Sequence, residues 1–355
     1  MDGIDATLVS FGDATLDIIA TCQHNYPDEL RRQLLAARSN SALRNYDDVP
    51  ELHRHVGECF RDAANELLIH AGTDASLIAA IGSHGQTLRH EPDGIDPFSL
   101  QIGDPNIIAT GTGITTFADF RRADIELGGQ GAPLAPAFHE WLFYRPDQTR
   151  VVLNIGGIAN ITVLPCDDQA TTGFDTGPGN TLLDAWTLHH TDRSFDRDGN
   201  WSASGSIIDE LLAQLKADPY FEAPAPKSTG FEYFNLDWLV AAGVSDFDPA
   251  DVQTTLCQLT ADTIAAAIRH SAPDASDILV CGGGIHNGDM MDRLRAALHE
   301  TPIASTATVG LDPDWVEAAA FAWLAMRTSH GHTGNLPGVT GASRATVLGS
   351  IHKVS

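Results

Sequence analysis

Asp175 lies within Thr172-Gly173-Phe174-Asp175-Thr176-Gly177-Pro178-Gly179-Asn180, just ahead of an apolar helix expected over Thr181 to His189. Upstream runs Asn154-Ile155-Gly156-Gly157-Ile158-Ala159-Asn160, a Gly-Gly turn between two β-rich runs. Glycine lets a backbone approach a ligand closely, and a turn that opens a helix offers N–H groups to an anion. One carboxylate among such turns points to acid–base chemistry beside a phosphate. Two more glycine turns adjoin strands: Cys281-Gly282-Gly283-Gly284-Ile285-His286-Asn287 and Met1-Asp2-Gly3-Ile4-Asp5. Together they would supply the dense N–H groups that phosphate needs, and Asp2 and Asp5 could hold magnesium through water. Each glycine also has a plainer reading, because turns are its commonest use, and Asp175 could simply hydrogen-bond its own backbone.

Other polar residues carry the same double reading. His84, in His84-Gly85-Gln86-Thr87, is either a substrate contact or a turn histidine. Asp119, Arg121, Arg122 and Asp124 follow a strand end, where ligand sites form in open α/β sheets. Arg121 is the choice for an anionic or polar substrate group. The chain carries a net charge of −26 and only three lysines, Lys216, Lys227 and Lys353, so an arginine in such a place reads as a recognition device. Glu317 stands among alanines on a helix, either at its wet edge or aimed into a site.

The elements that must position these residues follow from pattern. Ala6 to Ser10 and Leu16 to Thr21 read as a hairpin, Pro27 to Arg38 and Pro50 to Ala71 as helices. Leu77 to Ile81, Ser99 to Ile102 and Ile114 to Phe120 read as strands, and Ala135 to Phe143 as a helix. Arg150 to Asn154 and Asn160 to Leu164 form a strand pair. Helices follow at 204–215, 236–242 and 251–270, then a strand at 277–281, a helix to about 298 and a last one at 312–328. Pro224 to Gly230 reads as a rigid exposed loop and 336–342 as loop. Both halves begin with antiparallel strands and continue with alternating helices and strands, which implies two similar α/β domains facing a cleft.

Composition excludes several classes. At 355 residues, 43% hydrophobic, the chain is long enough for two domains. It has neither a run of membrane-span length nor a basic region leading into an apolar one at its start, so a soluble, cytoplasmic protein is expected. Its acidity argues against nucleic acid and anionic membranes as partners. Five scattered cysteines form no CxxC pair and argue against a disulfide framework or a structural zinc site.

The motifs His84-Gly85-Gln86-Thr87, Gln101-Ile102-Gly103-Asp104, Asp119 to Leu134, Asn154 to Asn160, Phe174 to Asn180, Pro226-Lys227-Ser228-Thr229-Gly230, Cys281 to Gly284 and Val339-Thr340-Gly341-Ala342 resemble, in order and spacing, those of the anhydro-N-acetylmuramic acid kinases. The resemblance spans the chain. It implies the α/β fold of the sugar kinase, actin and heat-shock ATPase superfamily: two ribonuclease H-like domains flanking a nucleotide cleft. Their expected bounds are 1–126 completed by 336–355, and 127–335. It implies an enzyme of peptidoglycan recycling and amino-sugar catabolism, with ATP and Mg2+. The enzyme opens the 1,6-anhydro bridge of anhydro-N-acetylmuramic acid by hydrolysis and phosphorylates the freed 6-oxygen. Asp175 would be the general base that activates water. Asp2, Gly3, Asp5, Gly156 and Gly157 would serve phosphate and metal, and Gly282, Gly283 and Gly284 would face the nucleoside. His84, Gln86, Asp104, Arg121 and Glu317 are assigned to the sugar. A small-molecule substrate and a homodimer are the expected partners.

One departure carries its own expectation. The family has a strand ending in Gly-Thr-Ser, one residue, then Asp-Gly-x-Asp, whereas this chain begins at Met1-Asp2-Gly3-Ile4-Asp5. A missing first strand and half of a phosphate loop are therefore expected, with an unstable, weakly active or inactive protein as the consequence.

Overall fold

A computed structural model describes residues 3–166 and 169–354. The chain opens on a hairpin of β1 (Gly3–Phe11) and β2 (Leu16–Asn25), closed where Gly12 N–H donates to the Thr15 carbonyl at 2.9 Å. Helices α1 (Asp28–Arg38) and α2 (Pro50–Ala71) follow. α2 starts on a proline whose φ suits the first turn and stops at Gly72, whose φ of +60° makes the left-handed cap. Next come β3 (Ile81–Gly82), β4 (Gln86–Glu91), β5 (Phe98–Ile102), α3 (Pro105–Thr112), β6 (Thr116–Ala118), α4 (Arg122–Glu126) and α5 (Ala135–Phe143). The strand expected over Leu77 to Ile81 is corrected. Asp74 caps a short 3-10 turn by accepting from Ser76 N–H at 2.9 Å, which delays β3 to Ile81.

The middle of the chain holds β7 (Arg150–Ile155), β8 (Ile158–Leu164), β9 (Thr172–Pro178), α6 (Thr181–Thr191), α7 (Asp209–Lys216), α8 (Pro219–Glu222), α9 (Leu236–Ala241) and α10 (Pro249–Ser271). After these come β10 (Asp277–Cys281), α11 (Gly288–Ala297), β11 (Ile303–Ser305), α12 (Val316–Ser329), α13 (Pro337–Thr340) and β12 (Ser350–His352). α7 begins later than its apolar pattern suggests, because α10 side chains take the preceding amides. Ser206 N–H donates to Asp251 Oδ1 at 2.7 Å and Ile208 N–H to Thr255 Oγ1 at 3.0 Å.

Two compact units result, residues 1–142 with 315–355, and residues 143–314. The bounds expected from sequence, 126/127 and 335/336, would instead move α5 and α12 into the second unit. In the first unit the described strands form three sheets: β1 with β2, β4 with β5, and β6 between β3 and β12. Helix α12 packs along β1, β3 and β6. The approach is close enough at Gly82 that a Cβ there would overlap the Phe321 carbonyl, which explains glycine at that point. A core of Ile4, Leu30, Leu34, Val56, Leu88 and Ile102 lies between the hairpins, α1 and α2.

The second unit is built on one five-stranded sheet, ordered β11-β10-β7-β8-β9. β7, β10 and β11 run parallel, while β8 is antiparallel to both β7 and β9. This is the mixed sheet expected of a ribonuclease H-like unit. Its parallel strands read as continuous apolar runs because both faces are covered: Val151, Val152, Leu153, Ile278 and Val280 are fully buried. At their starts, Arg150 grips Asp277 with two bonds, Nε to Oδ1 at 2.9 Å and Nη2 to Oδ2 at 2.7 Å. Such a bidentate pair fixes the register of the neighbouring strands.

Candidate active site

The glycine turns of the second unit sit side by side. Asn154 at the end of β7 pairs with Cys281 at the end of β10, so Gly156-Gly157 and Gly282-Gly283-Gly284 both leave the carboxyl ends of adjacent parallel strands. Ligand sites in open α/β sheets form at such ends. The glycines divide by what an added Cβ would meet. At Gly282 and Gly284 it would overlap Asn154 and Ile155, so these two are required by packing. At Gly283 nothing lies within 4 Å. At Gly156 and Gly157 the nearest atoms are 3.5 and 3.9 Å away, leaving open backbone that another group can approach. The sequence could not separate these roles.

The motif around Asp175 is corrected in form. It is strand rather than turn: Thr172 to Pro178 make β9, paired to β8 with a bulge between Ala159 and Asn160 that sets Asp175 opposite Asn160. The amides expected to be free at the start of α6 are also taken. Gly179, Asn180 and Thr181 donate to the carbonyls of Gly157, Gly156 and Gly157 at 2.9, 2.8 and 3.0 Å. They brace the Gly-Gly turn from behind. Thr260 of α10 steadies the same corner, donating to the Pro178 carbonyl at 3.0 Å.

Asp175 itself is half-buried and held on three sides. Its Oδ2 accepts from Thr229 N–H at 3.0 Å, its N–H donates to the Lys227 carbonyl at 3.1 Å, and its carbonyl accepts from Tyr220 OH at 2.8 Å. Lys227 Nζ in turn donates to the Tyr220 carbonyl at 2.8 Å and lies 4.6 Å above that ring. Burial pushes the Lys227 ammonium below its ordinary range and the Asp175 charge opposes this, while burial, reinforced by Asp175, pushes the Tyr220 phenol up. The loop expected to be merely exposed is therefore a clamp: Pro224 to Pro226 are exposed, but Lys227 to Gly230 are half-buried against β9. Sequence reading did not select Tyr220, Lys227 and Thr229. The signal was present, since one of only three lysines sits inside a proline-flanked run.

In the first unit, Arg121, His84, Glu317 and Asp5 come together from β1, the β3–β4 turn, the end of β6 and α12. Arg121 Nη2 lies 2.8 Å from His84 Nε2, and Nη1 donates to the Gly131 carbonyl at 2.7 Å. His84 packs on Phe321 with ring centroids 4.4 Å apart. Burial, helped by the Arg121 charge, pushes the His84 imidazole down to about 3, so it is neutral at physiological pH and Nε2 can accept from the guanidinium. Glu317 is reachable by solvent, yet protein crowds around it and raises its carboxyl. Arg121 opposes that rise and Asp5 reinforces it.

The remaining candidates fare differently. Gln86, at the start of β4, accepts from Tyr26 OH at 3.3 Å. Asp104 caps α3, accepting from Asn106 N–H at 2.9 Å and Asn106 Nδ2 at 3.0 Å, which gives its carboxylate a structural partner. Gly3 and Asp5 lie within β1 rather than in a turn before it. A Cβ on Gly3 would come 2.7 Å from the His24 carbonyl, so close strand packing accounts for that glycine. Asp5 is exposed and accepts from Gln23 Nε2 at 3.2 Å. Asp2 lies outside the described residues.

Comparison with known proteins agrees with the sequence resemblance. The family model described as anhydro-N-acetylmuramic acid kinase matches residues 1–354. The protein of that name from Coxiella burnetii (strain Dugway 5J108-111) is 49% identical over 354 residues, covering 99% of this chain and 94% of its own length. Those from Shewanella halifaxensis (strain HAW-EB4) and Shewanella amazonensis (strain ATCC BAA-1098 / SB2B) are each 49% identical, over 99% of this chain and 95% of theirs. These matches give no support to the expected loss of a first strand or to the inactive protein inferred from it. Among the described residues, no helix is long and apolar enough to cross a membrane.

Proposed function

The chain belongs to the anhydro-N-acetylmuramic acid kinase family, and from that membership we propose that it consumes ATP to convert 1,6-anhydro-N-acetylmuramic acid and water into N-acetylmuramic acid 6-phosphate and ADP. The observation that carries this reading is the fixed carboxylate of Asp175, with Thr229 N–H on one oxygen, in a unit whose Gly156-Gly157 turn leaves open backbone. A general base works by position first, and three hydrogen bonds hold this one. In the proposed reaction Asp175 removes a proton from water as the water oxygen bonds to the anomeric carbon. The bond from that carbon to the 6-oxygen breaks, and the freed 6-oxygen takes the γ-phosphoryl group from ATP.

Backbone N–H groups at Gly156 and Gly157 would bind phosphate, and Gly283 would face the nucleoside. Gly282 and Gly284 serve chiefly to let the turn pack. Arg121 suits the lactyl carboxylate, held ready by His84, while Glu317 and Gln86 suit hydroxyls. Asp5, with Asp2, offers the hard oxygen donors that magnesium takes through water, and its exposed carboxylate beside Glu317 is a place where added positive charge would be favourable. Magnesium, when bound, would neutralise charge developing on the phosphates.

The test is Asp175→Asn assayed in heavy-oxygen water. Wild-type product should carry the label at the anomeric carbon. The variant should bind ATP normally and lose turnover by roughly 10²–10⁴-fold, the usual worth of a general base. Near-wild-type turnover in the variant, or label absent from the sugar, would overturn the mechanism.

A further inference from the structure

Against the expectation from cysteine spacing, we propose that the first unit carries a zinc-class metal site formed by Cys22 and His24 of β2 with Glu66 and His70 of α2. No residue of this set has a part in the phosphotransfer reading. The geometry comes from two periodicities. Cys22 and His24 are two apart on a strand and share one face; Glu66 and His70 are four apart on a helix and share one face. β2 packs against α2, so the two faces meet.

Glu66 is at the centre of the set. Its Oε2 lies 2.9 Å from His24 Nδ1 and its Oε1 3.9 Å from His70 Nε2. One donor atom each from Cys22, Glu66 and His70 all lie within 4.8 Å of one another. Around tetrahedral zinc, ligand atoms sit about 3.3–3.8 Å apart, so small rotamer changes would bring Cys22, Glu66 and His70 onto one ion, with His24 beside Glu66 as the fourth donor. Sulfur, two imidazole nitrogens and a carboxylate are the donors zinc selects, whereas magnesium and calcium prefer oxygen alone. An ordinary ion pair explains His24 with Glu66. It does not require a thiol and a second imidazole converging on the same carboxylate.

Access also agrees. Cys22 is only 5% exposed, while the side chains of His24, Glu66 and His70 are 26, 41 and 53% exposed, so the ion would enter from the α2 side onto a buried sulfur. A bound ion would staple β2 to α2 directly behind Gln23, the residue that pairs with Asp5 of β1.

Full-length protein stripped with chelator would be titrated with Zn2+ against a chromogenic competitor, and separately with Co2+ alone. Wild type should take up one ion per chain, and the cobalt form should show a thiolate-to-metal absorption band in the near ultraviolet. Cys22→Ser, nearly isosteric, should abolish that band. His70→Gln, at an exposed position that leaves the core intact, should weaken Zn2+ binding roughly tenfold or more, as loss of a ligand from a built site does. Binding below one ion per chain, a band that survives Cys22→Ser, or unchanged affinity in His70→Gln would each overturn the proposal.

Discussion

The two units carry their candidate residues in opposite ways. In the second, the site is built from backbone: strand ends, a Gly-Gly turn with open space at its Cβ positions, and an aspartate fixed mostly by main-chain partners at Thr229 and Lys227. In the first, it is built from side chains. One guanidinium joins a neutral imidazole and a backbone carbonyl, near two carboxylates drawn from distant segments. A backbone site suits a group common to many substrates, such as phosphate, because any sequence has N–H groups. A side-chain cluster suits recognition of one particular shape. The proposed assignment of phosphate to the glycine turns and sugar to the arginine cluster comes from the family resemblance and fits this contrast, and substitutions on either side can break it.

Among the substitutions that test the contrast, the largest effect is expected at Arg121. Arg121→Met removes the donor to His84 Nε2 and to the Gly131 carbonyl. A hydrogen bond to a charged group contributes about 1.5–3 kcal/mol, so KM for the anhydro sugar should rise roughly 10- to 150-fold while KM for ATP stays within about twofold. Steady-state kinetics with each substrate varied would check this. If KM for the sugar is unchanged and only the melting temperature falls, Arg121 is an anchor for the Gly131 loop, and the contrast fails on the first unit's side.

The glycines provide the matching break in the second unit. Gly284→Ala pushes a methyl into Ile155, an overpacking that should cost about 1–3 kcal/mol of stability, seen as a lower melting temperature. Gly157→Ala meets no atom nearer than Thr181 Cβ at 3.9 Å, so it should melt like wild type. Its KM for ATP should rise all the same, because the methyl occupies the approach to the turn. Equal melting losses in both variants would mean that the two turns do not differ as the Cβ contacts indicate.

Much of the second unit was legible because its signals are local. Gly156-Gly157 between two apolar runs specifies a hairpin, and Pro50 at one end with Gly72 past the other brackets α2 of the first unit as expected. What escaped was set by tertiary partners. Phe174 to Pro178 resemble a turn by composition, yet pairing along β8 draws them into a strand. The Asp175 clamp depends on Lys227 and Thr229, some fifty residues away. The meeting of Asp5, His84, Arg121 and Glu317 joins four segments that no local pattern links. Asp104 is the opposite case: an aspartate before Pro105 and a helical run is a cap signature, so its structural role was readable from local sequence.

The smallest effect concerns acid. Among the described residues, burial pushes five histidines of the first unit down: His84 and His139 to about 3, His90 to about 4, and His53 and His352 as well. In the second unit, among the described residues, His190 alone is pushed down, and it is exposed. A histidine with a depressed folded pKa binds its proton more readily when unfolded. Its contribution is therefore complete above about pH 6.5 and is lost as pH falls from there toward 3 or 4. Acid should thus loosen the first unit before the second. Amide exchange compared at pH 7 and pH 4.5, after correction for intrinsic rates, should show protection lost first in α5 and β4. His139→Gln removes one titrating group outside the candidate site. It should flatten the fall in melting temperature between pH 6.5 and 4.5 by several degrees, about 2–4 °C answering to each kcal/mol in a domain of this size. If the second unit loses protection first, or if the slope is unchanged in His139→Gln, the packing that crowds the arginine cluster is looser than the neutral histidines require. The contrast between a backbone site and a rigid side-chain site would then have to be redrawn as one between two flexible surfaces.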